Sequence, residues 1–88
     1  MSWFVYLVRC ADNTLYCGVT NDLDDRIAKH GTPRGAKYTR TRGPVHLVYA
    51  RKTRGKRAAM RLEYRIKQLT RREKLALVAE YTREARLA

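Results

Sequence analysis

The stretch from Trp3 to Cys10 is apolar at nearly every position, and this feature most limits what the chain can form. Successive side chains of a strand point to opposite faces, so a stretch that is apolar at both odd and even positions must be covered on both sides. It predicts a central strand with structure packed on each face. Asp12 and Asn13 supply a turn, and residues 14–20 are predicted to form the second strand of a hairpin.

A helix is predicted directly after the hairpin. Asn21 or Asp22 can cap its first turn, and Gly31 is expected to end it. The apolar stripe of this first helix would be formed by Leu23, Ile27 and Ala28.

A loop and a third strand are predicted next. Residues 32–44 contain several glycines and prolines, which predicts a loop. Residues 45–50 alternate weakly between apolar and polar side chains, as in a strand.

Two further helices are predicted in the C-terminal third. The first covers residues 53–69, and the second begins at the capping box of residues 70–73 and runs to about residue 83. The expected buried side of the first comprises Ala58, Ala59, Leu62, Ile66 and Leu69. The expected buried side of the second comprises Leu75, Val78 and Ala79.

The order β-β-α-β-α-α indicates an α+β fold, with a three-stranded, mainly antiparallel sheet flanked by helices. At 88 residues the chain has room for one core, so one compact domain is predicted over residues 1–88. No signal peptide and no apolar run of membrane-spanning length is present in this sequence, which favours a soluble, cytoplasmic protein. Cys10 and Cys17 are expected to be buried free thiols, because Cys17 would face a residue near Leu7 or Val8.

Positive charge is concentrated in the middle of the chain. The formal net charge is +12, and residues 26–57 hold eleven bases and no acid. A polyanion would relieve the mutual repulsion of these bases and release its counterions. Membrane binding would favour an amphipathic basic helix, whereas these bases are spread over a predicted helix, loop and strand. The distribution favours nucleic acid over a membrane surface as partner.

Five polar residues are informative as a set, although each alone is typical of a structural role. Arg26 and His30 are four apart on one predicted helix and project from the same face. Tyr6 and Tyr16 share a face of the hairpin if its register sum is even. Glu63 lies at the margin of a buried helical stripe. A carboxylate, an arginine, an imidazole and two phenols suit phosphodiester hydrolysis, in which a metal ion and an arginine stabilise the phosphorane.

The tripeptides FVY at positions 4–6 and YCG at positions 16–18 resemble the paired motif of the GIY-YIG nucleases. Arg26, His30 and Glu63 also fall where that family places functional residues, and GAKYT at positions 35–39 resembles its small stand-alone bacterial branch. The resemblance covers roughly residues 3–69. The chain departs from the motif by having phenylalanine at position 4 and cysteine at position 17. Downstream of the glutamate it offers Gln68 where the family often has asparagine.

The resemblance implies a hydrolase that cuts one strand per active site with a single divalent cation, Mg²⁺ or a similar ion. Glu63 matches the family's metal-binding glutamate, and Arg26 matches the arginine that stabilises developing charge. Tyr6 and Tyr16 match the motif tyrosines, one acting as a general base and one positioning groups, in an order that the sequence leaves open. His30 would relay a proton or contact a phosphate.

Further residues are predicted to contact the substrate. Gly18 would let the backbone approach closely, since it has no side chain. Nucleic-acid binding is predicted for Lys29, Lys37, Tyr38, Arg40 and Arg42.

The sequence therefore predicts metal-dependent phosphodiester hydrolysis of the endonuclease type, with DNA favoured over RNA and no small-molecule cofactor. The alternative is a non-catalytic DNA- or RNA-binding module that keeps the basic face of a nuclease fold. A structural or ribosome-associated protein would share the charge, but that class does not explain the five-residue set. A protein partner or a dimer is left open.

Overall fold

The computed structural model describes residues 2–29 and 45–87, which form three strands and three helices. They are β1 (Trp3–Arg9), β2 (Leu15–Thr20), α1 (Leu23–Lys29), β3 (His46–Thr53), α2 (Lys56–Gln68) and α3 (Arg71–Leu87). The sheet has the order β2-β1-β3, and both strand pairs are antiparallel. The predicted α+β class and the order β-β-α-β-α-α are confirmed.

The central strand β1 is buried on both of its faces, as its unbroken apolar pattern predicts. Val5, Tyr6, Leu7 and Val8 are all fully buried. Val5 and Leu7 belong to the face that packs against α2, while Tyr6 and Val8 alternate with them on the opposite face. The core on the α2 side is completed by Cys17, Tyr49, Ala59 and Ile66.

The hairpin between β1 and β2 closes through local hydrogen bonds. Asn13 adopts a left-handed conformation (φ 67°), which asparagine tolerates better than most residues. Asp12 Oδ1 accepts hydrogen bonds from the backbone N and the hydroxyl of Thr14. The resulting register pairs Leu7 with Cys17. Cys10 and Cys17 are consequently both buried and unbridged, as predicted.

Helix α1 begins as its capping residues indicate. Asp22 Oδ1 accepts a hydrogen bond from the backbone N of Asp25 at 3.2 Å, so Asp22 is the N-cap. Leu23 and Ile27 are half-buried, but Ala28 is exposed, so its placement on the apolar stripe was wrong. Ala28 follows Leu23 by five positions, which turns it about 140° around the helix from Leu23 and off the stripe. Gly31, the predicted end of the helix, lies outside the described residues.

The boundary between β3 and α2 differs from the prediction. Strand β3 continues to Thr53 because that residue pairs with Trp3 of β1. The Thr53 hydroxyl also donates a hydrogen bond to the Trp3 carbonyl at 3.2 Å. Helix α2, predicted from residue 53, therefore begins at Lys56 after the extended Gly55.

Helix α3 starts with the predicted capping box. The Thr70 backbone N donates to Glu73 Oε1 at 2.9 Å, and the Glu73 backbone N donates to the Thr70 hydroxyl at 3.2 Å. The buried side of the helix was predicted wrongly in part: Val78 packs against the core, but Leu75 and Ala79 are not part of the packed set. The stripe that packs instead adds Leu77 and Tyr81.

Contact with β3 determines which side of α3 is buried. The Tyr81 ring of α3 packs edge-on against the Tyr49 ring of β3, with the ring centroids 5.8 Å apart. Helix α3 also extends to Leu87, beyond the predicted end near residue 83. Among the helices of the described segments, none combines the length and apolar content needed to cross a bilayer.

Candidate active site

A cleft of about 250 Å³ lies beside the edge strand β2 and receives side chains from β1, β2, α1 and α2. Four of the five residues singled out in the sequence line it: Tyr6, Tyr16, Arg26 and Glu63. Gly18 lines it as well. The remaining lining residues are Trp3, Val19, Lys56 and Met60. The structure therefore brings the predicted polar set together, apart from His30, which lies outside the described residues.

The two tyrosines share a face because of the strand register. Tyr6 pairs with Gly18, and Val8 pairs with Tyr16, so the register sum is even. Tyr6, Tyr16 and Gly18 therefore project from the same side of the hairpin. The two phenols reach one cleft although ten residues separate them in the sequence.

Gly18 makes room for the aromatic ring of Tyr6. A Cβ atom placed on residue 18 would lie 2.5 Å from Tyr6 Cζ and closer still to the phenolic oxygen. Tyr6 is fully buried, so its ring has little freedom to move away. The missing side chain at position 18 thus lets the Tyr6 ring lie across the neighbouring strand. The predicted approach of nucleic acid to the Gly18 backbone stays a prediction.

The phenol groups of Tyr6 and Tyr16 orient the side chain of Arg26. Its Nε donates a hydrogen bond to the phenolic oxygen of Tyr6 at 3.4 Å, and its guanidinium also interacts with Tyr16. The hydrogen bond with Tyr6 raises the pKa of Arg26 above its usual value. A guanidinium carries five N–H donors, so the Nε contact with Tyr6 leaves the donors of the terminal nitrogens for other partners, Tyr16 among them.

Burial governs the ionisation of Tyr6. Its removal from water raises the pKa of the phenol above the usual value of 10.0, and the adjacent Arg26 only partly offsets this. Tyr6 is therefore a neutral phenol at physiological pH. Tyr16 is half-buried in the same cleft.

Glu63 brings the carboxylate of the site from α2. Its side chain is 24% exposed, and its Oε2 lies 3.6 Å from Lys67 Nζ, one helical turn away. The negative charge of Glu63 also affects the Cys17 thiol on β2. Burial is the larger cause and the Glu63 charge the second, and together they raise the pKa of Cys17 to about 11. The electrostatic coupling to Cys17 supports a position for the Glu63 carboxylate against β2.

Lys56 and Met60 are cleft residues that the sequence reasoning missed. Lys56 Nζ lies 5.6 Å from the centroid of the Trp3 ring, a cation–π contact that places a second positive charge beside Arg26 in the cleft. Helical spacing could have revealed both residues. Lys56, Met60 and Glu63 occur at i, i+4 and i+7 and so lie on one face of α2.

The donor set of the cleft fits a divalent cation of the magnesium type. Within residues 2–29 and 45–87, no cluster of three or more histidine, cysteine, aspartate or glutamate side chains could enclose a metal ion. Glu63 is the one carboxylate among the described residues that line the cleft. Mg²⁺ is commonly held by one or two carboxylates, together with waters and substrate phosphate oxygens. Glu63 can contribute in this way once substrate is bound.

Several predicted contacts to nucleic acid fall outside the described residues. They are His30 and four binding residues of the basic loop, namely Lys37, Tyr38, Arg40 and Arg42. Lys29 is the last residue of α1, and its Nζ lies 2.8 Å from Asp25 Oδ2. All of these assignments stay predictions.

Comparison with known proteins identifies the family to which this chain belongs. The family model of the GIY-YIG catalytic domain matches residues 2–76, a span that includes each described residue that lines the cleft. This chain belongs to the GIY-YIG family. The motif resemblance seen in the sequence is confirmed, and with it membership of a family of nucleases.

Proteins similar to this chain match it over most of their length. A UPF0213 protein of Vibrio cholerae is 55% identical over 82 residues, which are 92% of this chain and 81% of the relative. A UPF0213 protein of Staphylococcus aureus is 48% identical over 79 residues, which are 90% and 96% of the two chains. The solution NMR structure of a UPF0213 protein from Bacillus halodurans is similar to this fold, with a TM-score of 0.58 and 48% identity. That likeness covers 90% of this chain and 84% of the other.

Proposed function

We propose that this GIY-YIG protein is a metal-dependent nuclease that hydrolyses phosphodiester bonds within a DNA strand. The observation that carries the proposal is the shared cleft, which gathers Tyr6, Tyr16, Arg26 and Glu63 at the family's motif positions. The formal net charge of +12 adds a general attraction for polyanions.

Arg26 stabilises the phosphate as negative charge develops on it. Its Nε is engaged by Tyr6, and its terminal N–H groups donate to non-bridging phosphate oxygens. A guanidinium fixed in advance needs little reorganisation as the reaction proceeds, which makes such electrostatic stabilisation effective.

The two tyrosines have different tasks. Tyr6 is buried with a raised pKa, so it stays protonated and orients Arg26. Tyr16 is half-buried in the cleft and interacts with the same guanidinium, so it is the phenol assigned to handle the proton of the attacking water. His30 is retained as a proton relay or a phosphate contact.

Glu63 holds the divalent cation, Mg²⁺ or a similar ion. When bound, that cation supplies Lewis-acid stabilisation of the phosphate and lowers the pKa of a coordinated water. The contribution of the protein is to supply a carboxylate oxygen and to release it from Lys67, whose ammonium lies 3.6 Å away. Lys56 places positive charge beside the substrate phosphates.

The proposal also covers the number of strands that the enzyme cuts, its location in the cell and the residues that bind DNA. One active site per chain would nick a single strand, and cleavage of both strands would need a second copy or a partner protein. A cytoplasmic location agrees with two cysteines that are buried and unbridged. The basic residues Lys29, Lys37, Arg40 and Arg42, together with Tyr38, are assigned to binding of the DNA backbone.

A substrate panel tests this function. Purified protein is incubated with single-stranded, double-stranded and branched DNA, and with RNA, in Mg²⁺ or in chelator and at two salt concentrations. We expect cleavage of DNA that requires Mg²⁺ and stops with chelator. Binding without cleavage of any substrate in Mg²⁺ would instead establish the non-catalytic binding module.

A further inference from the structure

The outward side of α2 carries an open groove next to the candidate active site. The groove is shallow, has a volume of about 760 Å³, and is lined by Lys56, Arg57, Met60, Arg61, Tyr64 and Arg65. Four of these six residues are basic. All six come from three successive turns of one helix, so their relative positions are fixed by helical geometry.

Three arginines form a regular row along this groove. Arg57, Arg61 and Arg65 are four residues apart, so their side chains leave one helix face from Cα atoms that are ~6 Å apart along the axis. This step is similar to the distance between successive phosphates of an extended nucleic-acid strand. None of the ion pairs observed in the described segments involves these three arginines. Their charge is therefore available for an external anion.

Two large apolar side chains line the same groove beside the row of arginines and are exposed. Met60 is 52% exposed and Tyr64 is 68% exposed. An exposed tyrosine surrounded by guanidinium groups is typical of surfaces on which an unpaired base stacks while the phosphates contact the arginines. A small ion would make use of the charges alone and would leave Met60 and Tyr64 unexplained.

The groove and the active site form one continuous surface. Lys56 and Met60 line both of them. Glu63 is the one acidic residue of α2, and it faces the cleft side of the helix. A strand whose scissile phosphate lies at Arg26 therefore has a positively charged path onto the outer face of α2.

We infer that the outer face of α2 binds the part of the substrate strand next to the cleavage point, with phosphates on Arg57, Arg61 and Arg65 and an unpaired base stacked on Tyr64. This inference rests on the proposed function, since it assumes a nucleic-acid substrate in the cleft. A second copy of this chain is a poorer fit for the groove, because the protein is strongly positive and like charges would face each other.

Binding in chelator, where no cleavage occurs, tests the inference separately from catalysis. The probe is a fluorescein-labelled single-stranded oligonucleotide of mixed sequence, titrated with protein at several salt concentrations. Tyr64→Ala should weaken binding roughly 5- to 100-fold, since it removes one stacking platform. Tyr64→Phe keeps the ring and should bind like the parent. Arg61→Ala should weaken binding and lower the slope of log K against log salt by about 0.7.

Arg86→Ala is the matched control, because Arg86 is an exposed arginine of α3 and is not among the residues that line the candidate active site or the groove. It should leave affinity close to that of the parent. The inference is overturned if the parent binds and cleaves while Tyr64→Ala and Arg61→Ala bind equally well; the proposed function would then survive. It is also overturned if sedimentation shows a dimer that Tyr64→Ala dissociates without any change in oligonucleotide affinity.

Discussion

The Nε of Arg26 lies 3.4 Å from the phenolic oxygen of Tyr6, and Tyr6 is itself a fully buried residue of the central strand. The guanidinium group of Arg26 is thereby attached to a rigid part of the fold. This arrangement explains why α1, although only seven residues long, can hold the Arg26 guanidinium in a defined position.

Replacement of this arginine by lysine should impair cleavage far more than folding. A lysine at this position would keep the charge but would lose the planar fork, in which Nε donates to Tyr6 while the terminal nitrogens can donate in parallel to a phosphate. We expect Arg26→Lys to lower the cleavage rate by about 10²- to 10³-fold, measured under single-turnover conditions. Arg54→Lys makes the same change at an exposed position outside the cleft and should leave the rate near that of the parent. Equal losses in both variants would contradict the role given to Arg26.

Substitution of Gly18 should damage both the fold and the site. The methyl group of alanine would overlap the buried Tyr6 ring, and overpacking of this kind costs about 1–3 kcal/mol in the free energy of unfolding. Gly18→Ala should therefore lower stability in urea denaturation, and displacement of Tyr6 should also reduce cleavage.

Gly55→Ser is the control for this substitution. A Cβ on residue 55 meets nothing within 4 Å, and serine at this N-cap position can bond to the first turn of α2. Its stability should match or exceed that of the parent. If Gly18→Ala is as stable as Gly55→Ser, the Tyr6 ring does not depend on the glycine.

Much of the site could be predicted because it follows from strand and helix periodicity. Tyr6 and Tyr16 had to share a face once the hairpin register was even, and the capping box at Thr70 fixed the start of α3. The side of α3 that packs was harder to predict. Leu75 and Leu77 are equally apolar, and contact of the helix with β3 decides between the two possible stripes.

The contact between Lys56 and Trp3 was missed for a related reason. Their proximity depends on where β3 ends, and β3 is extended by the pairing of Thr53 with Trp3, a contact between residues 50 positions apart. A local pattern contains no such information. The helical spacing of Lys56 and Glu63 was visible in the sequence, but the proximity of Lys56 to Trp3 was not.

Lys67 should compete with the divalent cation for Glu63. The ammonium lies 3.6 Å from Oε2, and exposed pairs of this kind contribute about 0.2–1 kcal/mol. Lys67→Gln should therefore lower the Mg²⁺ concentration that gives half-maximal cleavage by roughly 1.5- to 5-fold, measured at saturating substrate. Arg83→Gln removes the similar pair with Glu80 on α3 and should leave this concentration unchanged. An unchanged Mg²⁺ requirement in Lys67→Gln would show that the pair does not restrain Glu63.

Stability should fall at alkaline pH through the Cys17 thiol. Burial raises its pKa from 9.0 to about 11, so the unfolded chain loses this proton before the folded protein does. The stabilisation is fully present below pH 9 and is lost as the pH rises to about 11, by roughly 2–3 kcal/mol in the free energy of unfolding. Urea denaturation at several pH values measures this loss.

The Cys17→Ala protein lacks the titrating thiol. Its free energy of unfolding should therefore decline less than that of the parent between pH 9 and about 11. In Cys10→Ala the Cys17 thiol is still present, and the decline should remain. If Cys17→Ala and the parent lose stability in parallel, the thiol is not the responsible group.

The most direct measurement compares Glu63→Gln with the parent, because this substitution removes the carboxylate charge while keeping nearly the same shape. Cleavage of labelled DNA is followed in a titration with Mg²⁺, and binding of the same DNA is measured in chelator. The account predicts that Glu63→Gln binds with an affinity close to that of the parent but does not cleave at any Mg²⁺ concentration. Equal cleavage by the two proteins, with the same Mg²⁺ requirement, would contradict it.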